Sequence, residues 1–409
     1  MHDHRFVAEG GRIRPETHRT DDQARFAALA EPEGRELMAT LAAERVTDDT
    51  ALRLSDRLRA RYPAALVADG LTLQRLRDRA AVKFSRAADM MLTRDGLEQA
   101  SGEVVARHRA ARLAGAGPVA DLCCGIGGDL VALAAHGPVL GVDRDPLHAW
   151  MAGHNAAVYG VAERVRTEVA DVRAVDLAGV DAAFVDPARR TERGRTRDGE
   201  PPLPWCVGLT EWVPRVAVKA APGLDRAAVP PGWEAEFVAV GADLKEAVLW
   251  SPAAAEAATR ATILVDGARH TLLPAPGDEV AVGDPGGYLL DPNPAVTRAG
   301  LVGELARATG TWQIDERIAF LAAACPVTTP FARTLQVLDS GPWREKELAA
   351  RLRALDVGAI DVRRRGLAGD VDLLRRRLAR ALSGGTRRAT LVMTRARDRP
   401  WALVCVEPE

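Results

Sequence analysis

Apolar residues recur along this chain at two different spacings, and the change between them divides the sequence. From about residue 23 to residue 115 they lie three and four positions apart, which predicts amphipathic helices. These helices are expected at residues 35–45, 51–62, 64–77 and 97–113. From residue 119 onwards, short apolar runs alternate with helical segments, a pattern typical of a parallel sheet covered by helices. The sequence therefore predicts an N-terminal helical region followed by an α/β domain.

The first apolar run leads into a loop rich in glycine at residues 121–129, Asp-Leu-Cys-Cys-Gly-Ile-Gly-Gly-Asp. Its glycines let the backbone turn sharply and approach a ligand without a Cβ in the way, and Asp129 suits the first turn of a helix. A dinucleotide fingerprint would require a third glycine at Leu130, so the spacing argues against NAD. Asp121 can instead face the charged amino-acid end of a zwitterionic ligand. A glycine turn without any ligand is the alternative.

Three later apolar runs share one ending, because each closes on a carboxylate: Asp143, Asp171 and Asp186. Since ligands bind at the carboxyl ends of parallel strands, these acids are expected at one edge of the sheet. Asp143 follows Asp121 at roughly the spacing at which a nucleotide-binding sheet places a carboxylate on ribose hydroxyls. The alternative is that Asp143 or Asp145 only caps the helix that begins at Pro146.

The loop at 121–129 resembles motif I of the class I S-adenosylmethionine-dependent methyltransferases. Residues 142–146 (Val-Asp-Arg-Asp-Pro) and 155–160 (Asn-Ala-Ala-Val-Tyr-Gly) are similar to methyltransferases of the trimethylguanosine-synthase type, which modify RNA guanine. The whole chain resembles bacterial class I methyltransferases with a C-terminal THUMP-like domain. This resemblance implies a Rossmann-like α/β fold with a seven-stranded sheet, and S-adenosylmethionine as the cofactor. The resemblance assigns cofactor binding to Asp121, Cys123, Gly125, Gly127, Asp143, Asp171 and Val172, and it puts the last two at the adenine.

Within this resemblance, residues 186–190 (Asp-Pro-Ala-Arg-Arg) correspond to motif IV, where the methyl acceptor binds. In amino-methyltransferases this motif is Asp or Asn, Pro, Pro and an aromatic residue; the acid and a backbone carbonyl orient the target amine, and the aromatic ring stacks on the base. Asp186 and Pro187 match, but Arg189 replaces the aromatic residue and leaves the target atom open. Asp186, Pro187 and Arg189 are predicted to orient the acceptor. Arg189 can do so because a guanidinium group stacks on a base or binds a phosphate. The alternative is that Arg189 and Arg190 are a solvated pair.

Two further segments receive a role, the first from the same resemblance and the second from its polar sequence. Residues 83–94 with 97–100 match the segment that precedes motif I in the family, where it folds over the cofactor; the alternative is a packing face of the helical region. Residues 191–202 form a polar loop at the active edge of the predicted sheet and are expected to face the substrate.

A second α/β module is predicted after a turn-rich break at 283–288. From residue 335 the patterns follow the order β-α-β-α-β-β, which suits a THUMP-like domain. Its arginines cluster as a phosphate-binding face would require: Arg363, Arg364, Arg365, Arg375, Arg376, Arg377, Arg380, Arg387, Arg388, Arg395, Arg397 and Arg399. A merely soluble face is the alternative. The predicted domains are 1–95 (helical), 96–282 (methyltransferase), 283–330 (connecting segment) and 331–409 (THUMP-like).

Composition adds limits to this picture. The net charge is −1, so no overall field attracts nucleic acid, and 51 of the 55 basic residues are arginine, which is typical of a GC-rich genome and weakens arginine content as a sign of RNA binding. The five cysteines have no C-x-x-C spacing and no histidine partner at ligand spacing, so we expect free thiols in a reducing cytoplasm and no metal site. The N-terminus does not have the pattern of a signal peptide, and no apolar run predicts a membrane span.

Together these patterns favour an enzyme that transfers a methyl group from S-adenosylmethionine to a base of a structured RNA. A methyltransferase that acts on a protein or a small molecule is a variant of this hypothesis. The alternative from another class is a non-catalytic RNA-binding protein that keeps the cofactor fold as a scaffold; the altered motif IV favours it, and the acids at one sheet edge oppose it. The sequence leaves the RNA, the nucleotide and the oligomeric state open.

Overall fold

The computed structural model describes residues 16–191, 194–382 and 384–408, and it describes side chains at residues 22–188, 199–382 and 384–408. The chain divides into two units. The first runs up to Lys219 and includes Ser251–Ala254; the second comprises Ala220–Trp250 and the chain from Ala255 onwards.

The N-terminal part of the first unit is helical, as predicted. Its helices are α1 (Glu16–Ala30), α2 (Pro32–Ala42), α3 (Asp48–Leu58), α4 (Ala64–Ala80), α5 (Arg94–Gln99) and α6 (Glu103–Leu113). Pro32 starts α2, and Thr47 starts α3 through a capping box with Thr50. The apolar faces of α1 to α4 share one core with Ile126 and Leu147 of the α/β part that follows. The helical region therefore packs directly on the glycine loop.

The predicted helix at 97–113 is wrong in one respect, because the chain leaves the helical conformation at residues 100–102, between α5 and α6. The apolar spacing continues across this break, so periodicity alone does not reveal it. The side chain of Glu103 accepts hydrogen bonds from the Ser85 amide at 2.7 Å and the Ser85 hydroxyl at 3.0 Å, which fixes the start of α6. Ser101 is thereby left outside both helices.

The α/β part of the first unit alternates strands and helices. Its elements are β1 (Val119–Leu122), α7 (Gly128–Ala134), β2 (Val139–Asp143), α8 (Pro146–Val158), β3 (Val165–Val169), β4 (Ala182–Val185), β5 (Ala188–Thr191), β6 (Gly194–Glu200), α9 (Leu203–Gly208) and β7 (Arg215–Ala220). Five of the strands form a parallel array in the order β7-β4-β1-β2-β3. The carboxyl ends of these strands lie at one edge, as the run of terminal acids predicts. The segment predicted as a polar loop after motif IV is instead the antiparallel hairpin β5–β6.

The second unit begins with four strands: β8 (Glu234–Val240), β9 (Asp243–Trp250), β10 (Thr259–Val265) and β11 (Ala268–Leu272). β8 and β9 form an antiparallel hairpin, while β10 runs parallel to β8 and antiparallel to β11. β10 and β11 are additional to the seven strands that the resemblance implies. β10 is largely buried and pairs with β8 from Ala235 to Val240.

The remainder of the second unit is a mixed sheet with helices. Its elements are β12 (Tyr288–Pro292), α10 (Pro294–Ala299), α11 (Val302–Thr309), β13 (Trp312–Gln313), β14 (Leu321–Ala323), β15 (Ala332–Pro342), α12 (Glu345–Ala354), β16 (Val357–Arg364), α13 (Val371–Ala381), β17 (Arg387–Ala396) and β18 (Arg399–Val406). The order from β15 to β18 is the predicted β-α-β-α-β-β. The sheet order is β13-β14-β12-β15-β18-β17-β16, so β12–β14 pair in the same sheet as β15–β18. The domain boundaries at 95, 282 and 330 stay a prediction.

Among the described helices, none has the length and apolarity needed to cross a membrane. Within the described part of the chain, no three His, Cys, Asp or Glu side chains form a group that could hold a metal ion.

Candidate cofactor and acceptor site

The glycine loop between β1 and α7 depends on left-handed backbone conformations. Cys123, Gly125 and Gly127 have φ values of +67°, +54° and +85°. The amide of Cys123 donates to the carbonyl oxygen of Val142 at 2.9 Å, which ties the loop to β2. A Cβ on Gly127 would lie 2.9 Å from the Cα of Ala152 in α8, whereas a Cβ on Gly125 would meet no described atom within 4 Å. Packing therefore requires glycine at 127, whereas Gly125 borders open space.

Asp121, in β1, is a buried carboxyl group whose two oxygens have no hydrogen-bond partner among the described residues. Burial raises the pKa of Asp121 well above its ordinary value; Asp129 and Asp186 raise it further, Arg109 lowers it, and Asp143 adds a smaller increase. An ionised carboxylate in such a position is costly unless a cation pairs with it. The site therefore favours a ligand with a cationic group next to Asp121.

Asp129 lies in the first turn of α7, as predicted, and its side chain forms a buried ion pair with Arg109 of α6. The Nε atom of Arg109 donates to Oδ1 of Asp129 at 3.0 Å, and its Nη2 atom donates to the same oxygen. The guanidinium carbon of Arg109 also lies 4.8 Å from the ring centroid of Phe184 in β4. The pair compensates one of the acids at the sheet edge and joins the helical region to the glycine loop.

The hydrogen bonds of Asp143 and Asp145 show which of the two caps the helix at Pro146, and the role of Asp143 at the ribose stays a prediction. Oδ2 of Asp143 accepts the Gly125 amide and Oδ1 accepts the Asp145 amide, both at 2.9 Å. Asp145 is the N-cap of α8, because its side chain accepts the amide of Leu147 at 2.9 Å. Asp143 is thus free of the capping role and faces the glycine loop, where a cofactor ribose is expected.

The third acid, Asp171, has a local partner. Its carboxylate accepts the backbone amide of Arg173 at 2.9 Å and Nε of the same residue at 3.0 Å, and these bonds lower the pKa of Asp171. Asp171 is exposed, whereas Val172 beside it is buried. The predicted place of both residues at the adenine stays a prediction.

Cys123, also predicted at the cofactor, is half-buried in the loop. Burial raises the pKa of its thiol well above the ordinary range, and the neighbouring Asp143 and Asp186 carboxyls raise it further. The thiol therefore stays protonated at neutral pH and is a poor nucleophile.

Asp186 follows β4, and its amide donates to the Leu122 carbonyl oxygen of β1 at 3.2 Å. Its Oδ2 atom lies 2.6 Å from Nζ of Lys219, which is in β7, the neighbouring strand. The Lys219 ammonium also donates to the hydroxyl of buried Ser101 at 2.9 Å. The motif IV acid is therefore half of an ion pair that is shielded from solvent.

Pro187 comes next to Asp186 and leads into β5. The predicted acceptor residue Arg189 lies in β5, but its side chain is outside the described part of the chain, as is that of Arg190. Their roles at the acceptor stay predictions.

The segment predicted to fold over the cofactor packs on the glycine loop. The side chain of buried Asn155 in α8 accepts the Met91 amide at 2.8 Å, and it donates to the carbonyl oxygens of Met91 at 3.0 Å and Ile126 at 2.8 Å. A Cβ on Gly128 would lie 3.5 Å from the ring of Phe84. Asn155 thus fixes this segment and the loop to each other.

Sequence reasoning missed three side chains of the site: Arg109, Lys219 and Ser101. Two signals were present. Arg109 stands on the apolar face of α6, where a charged residue needs a buried partner. Lys219 is one of only four lysines in the chain and stands at the end of a predicted strand next to the one that ends in Asp186.

Comparisons with known proteins agree with this geometry. Family models match residues 22–80, a domain of unknown function; residues 116–194, described as RNA cap guanine-N2 methyltransferase; and residues 332–407, described as THUMP domain-like. An uncharacterized S-adenosylmethionine-dependent methyltransferase of Mycobacterium tuberculosis, found in strains CDC 1551 / Oshkosh and H37Rv, is 35% identical over 340 residues, which cover 78% of this chain and 90% of the relative. The crystal structure of a candidate methyltransferase from Porphyromonas gingivalis W83 has a TM-score of 0.73 at 20% identity, covers 92% of this chain and 99% of that one, and shows the same fold.

The chain belongs to the S-adenosylmethionine-dependent methyltransferase family that includes the mycobacterial protein, and its cofactor is S-adenosylmethionine. The residues at the sheet edge fit this cofactor. Asp121 is a buried acid without a hydrogen-bond partner among the described residues, which suits a cationic ligand, and Gly125 borders the space that a ligand needs.

Proposed function

We propose that the chain transfers the methyl group of S-adenosylmethionine to a base of a structured RNA. The observation that carries this proposal is the closeness of the motif IV acid to the glycine loop, because the Asp186 amide is bonded to Leu122, one residue before Cys123. A donor next to Gly125 and an acceptor at Asp186 would meet at the same sheet edge. S-adenosylmethionine supplies an electrophilic methyl group, so the protein's main task is to position the acceptor in line with it.

In this proposal the acids of the sheet edge hold the donor. Asp121 pairs with its cationic amino-acid end, and Asp143 accepts hydrogen bonds from the ribose hydroxyls. Asp171 and the backbone of Val172 face the adenine. The loop residues Cys123, Gly125 and Gly127 bring the backbone close to the cofactor, since all three have left-handed conformations and the two glycines have no side chain.

The acceptor is held by motif IV. The Asp186 carboxylate accepts an N–H of an exocyclic amine, and Pro187 fixes the direction of the chain beside it. Arg189 is proposed to contact the base or its phosphate, as the sequence predicts. The description of the family model matched by residues 116–194, RNA cap guanine-N2 methyltransferase, supports an amine of guanine as the acceptor.

The C-terminal unit supports RNA as the partner, because residues 332–407 match a THUMP domain-like model. The structure shows which arginines of the predicted phosphate-binding face already have an acidic partner. An acid lies within ion-pair distance of six of them: Arg365, Arg375, Arg377, Arg388, Arg395 and Arg397. The side chain of exposed Arg387 has no hydrogen bond or ion pair to a described residue, and it lines a cavity of about 530 Å³ on strands β15–β18. We propose that this cavity receives RNA phosphate.

A protein or small-molecule acceptor is the second candidate. The paired arginines favour it, because a surface whose charges are compensated attracts a polyanion less strongly. We propose that the activity is cytoplasmic, and the five free cysteine thiols support this proposal.

The test uses a lysate of cells from which the gene is deleted, tritiated S-adenosylmethionine and the purified full chain. Label that ribonuclease releases and protease does not supports an RNA acceptor, and mass spectrometry of the nucleosides then identifies the base. Label that only protease releases would refute the RNA proposal and keep the enzyme. Asp186→Ala should bind the donor normally in calorimetric titration and transfer no label.

The cavity is tested with the same RNA in the presence of S-adenosylhomocysteine. Arg387→Glu should weaken RNA binding. The slope of the logarithm of the binding constant against the logarithm of the salt concentration should become smaller by about one. Arg53→Glu makes the same charge change at an exposed position of α3 and should leave binding unchanged. Equal effects of the two variants would argue against the cavity.

A further inference from the structure

The register of two strands places Lys219 beside Asp186. β4 and β7 are parallel neighbours, with Ala182 opposite Arg215 and Val185 opposite Val218. The next residues in this register are Asp186 and Lys219. The Nζ–Oδ2 distance of 2.6 Å is thus a consequence of the backbone pairing, and the carboxyl ends of both strands deliver the ion pair to the ligand edge.

This ion pair differs from an ordinary surface pair. The side chains of Lys219 and Asp186 are only 10% and 24% exposed, so solvent screens their attraction little. The other ammonium contact, to the Ser101 hydroxyl at 2.9 Å, fixes the lysine from the side of the helical region. The ammonium group is therefore held between two partners and cannot turn to solvent without losing both.

Ser101 connects this pair to the donor loop. It lies in the break between α5 and α6, and a Cβ on Gly128 would lie 3.5 Å from its carbonyl oxygen. Another lysine, Lys83, donates to the carbonyl oxygens of Leu97 at 2.7 Å and Ala100 at 3.1 Å, and so fixes the same break. The acceptor acid, the lysine and the glycine loop are thus parts of one contiguous arrangement.

The charges of the site explain why such a lysine is needed. Asp186 lies close enough to Asp121 for the two carboxyls to interact electrostatically, and Asp129 and Asp143 are neighbours as well. Arg109 compensates Asp129, and backbone amides bind Asp143. Among the described contacts, Lys219 supplies the cation for Asp186.

We propose that Lys219 is a positioning residue for methyl transfer: its ammonium group, held by Ser101, keeps the Asp186 carboxylate aimed at the acceptor. This inference rests on the proposed function of Asp186. In motif IV of this chain, Ala188 and Arg189 stand where a second proline and an aromatic ring would constrain the acceptor. The Lys219–Asp186 pair supplies orientation from the neighbouring strand instead.

The experiment measures the initial rate of label transfer at saturating S-adenosylmethionine in the lysate assay, with donor affinity measured by calorimetry. Lys219→Met should slow transfer by about 10- to 100-fold, because the carboxylate loses its fixed direction. Donor affinity should change by less than about twofold, since Lys219 acts on the acceptor side. Lys219→Arg should recover part of the rate, because guanidinium also pairs with carboxylate. Lys245→Met, which removes the lysine of an exposed Lys–Asp pair in β9, is the matched control and should transfer at the normal rate.

A double-mutant cycle then separates positioning from a structural role. Asp186→Asn keeps an oxygen that can accept an N–H, so it should retain measurable transfer, and Lys219→Met should cause no further loss in that background. The same loss in both backgrounds would show that Lys219 does not act through Asp186 and would overturn the inference. A Lys219→Met variant with the normal rate, or with weakened donor binding, would also overturn it.

Two further outcomes are decisive. If Lys219→Met does not fold, Ser101→Ala takes its place. The inference is supported if Ser101→Ala slows transfer at unchanged donor affinity and causes no such loss in the Asp186→Asn background. A normal rate of transfer by Ser101→Ala contradicts it. Label that appears in protein refutes only the RNA proposal, because the rates of label transfer by the Lys219 variants can still be compared with that of the wild type. Absence of label from the wild-type reaction refutes the proposed function together with the inference that rests on it.

Discussion

Arg109 and Asp129 form an ion pair whose side chains are 1% and 10% exposed, and it joins the last helix of the N-terminal region to the first turn after the glycine loop. The helical region is therefore fixed to the first turn of α7, beside the proposed cofactor site. A buried pair of this kind is costly to break, because the partner that remains is an uncompensated buried charge.

Arg109→Met should lower the free energy of unfolding by about 3 kcal/mol, because it leaves the Asp129 carboxylate buried without its cation. The measurement is denaturant unfolding followed by circular dichroism. Arg107→Met, on the same helix, removes an exposed arginine that pairs with Glu103 and should cost less than about 1 kcal/mol. Equal losses for the two variants would contradict the account of a buried pair.

Asp143→Asn should weaken S-adenosylmethionine binding at least about tenfold in calorimetric titration. The aspartate accepts two backbone amides, from Gly125 and Asp145, and an asparagine has only one oxygen to offer them. Asp145→Asn is the matched control, because asparagine caps a helix about as well as aspartate. That variant should bind the donor normally, and a loss there equal to that of Asp143→Asn would refute the assignment of Asp143.

Two glycines of the loop should lose different amounts of stability when they are replaced by alanine. Gly127→Ala places a Cβ 2.9 Å from the Ala152 backbone at a positive φ, so it should destabilise the chain by about 3 kcal/mol. Gly125→Ala meets no described atom within 4 Å and should cost about 1 kcal/mol, from its left-handed conformation alone.

Donor binding supplies the second measurement on the same two variants. Gly125→Ala puts a methyl group into the space proposed for the cofactor and should weaken calorimetric binding more than its loss of stability explains. If Gly125→Ala binds the donor as the wild type does, the cofactor does not lie over this glycine.

The parts of the site that the sequence predicts are those set by local pattern. The glycine loop, the strand ends at Asp143 and Asp186 and the cap at Asp145 each lie within a few residues of the element that positions them. The ion pairs are different, because Lys219 is 33 residues from Asp186 and 118 residues from Ser101 along the chain. Only the pairing of β4 with β7 brings them together, and no window of sequence contains that pairing.

The errors in the predicted fold have the same cause. The apolar period of residues 97–113 continues through the break between α5 and α6, which is fixed by the contact of Glu103 with Ser85. Residues 259–265 are apolar enough to predict a strand, but their place beside β8 depends on tertiary pairing. The THUMP-like order of elements was predictable because each strand and helix from residue 335 carries its own period.

At a pH between the ordinary pKa of an aspartate and the raised pKa of Asp121, donor binding should release a proton, and Asp121 should be its source. Burial and neighbouring carboxyls raise the pKa of Asp121 well above its ordinary value, so in that range the folded protein without ligand holds a proton that an ordinary aspartate has lost. A cationic ligand group next to Asp121 lowers that pKa and displaces the proton. Titration calorimetry at one pH in two buffers of different ionisation enthalpy should therefore give different heats, corresponding to the release of at most about one proton.

Asp121→Asn should bind the donor more weakly and with heats that do not depend on the buffer. The same raised pKa has a consequence for stability. Between the ordinary pKa of an aspartate and the raised pKa of Asp121, the native state holds more protons than the unfolded state. The free energy of unfolding should therefore fall as pH rises through this range, and Asp121→Asn should remove this contribution. Heats that do not depend on the buffer in the wild type would show that Asp121 is not the group that meets the cation of the donor.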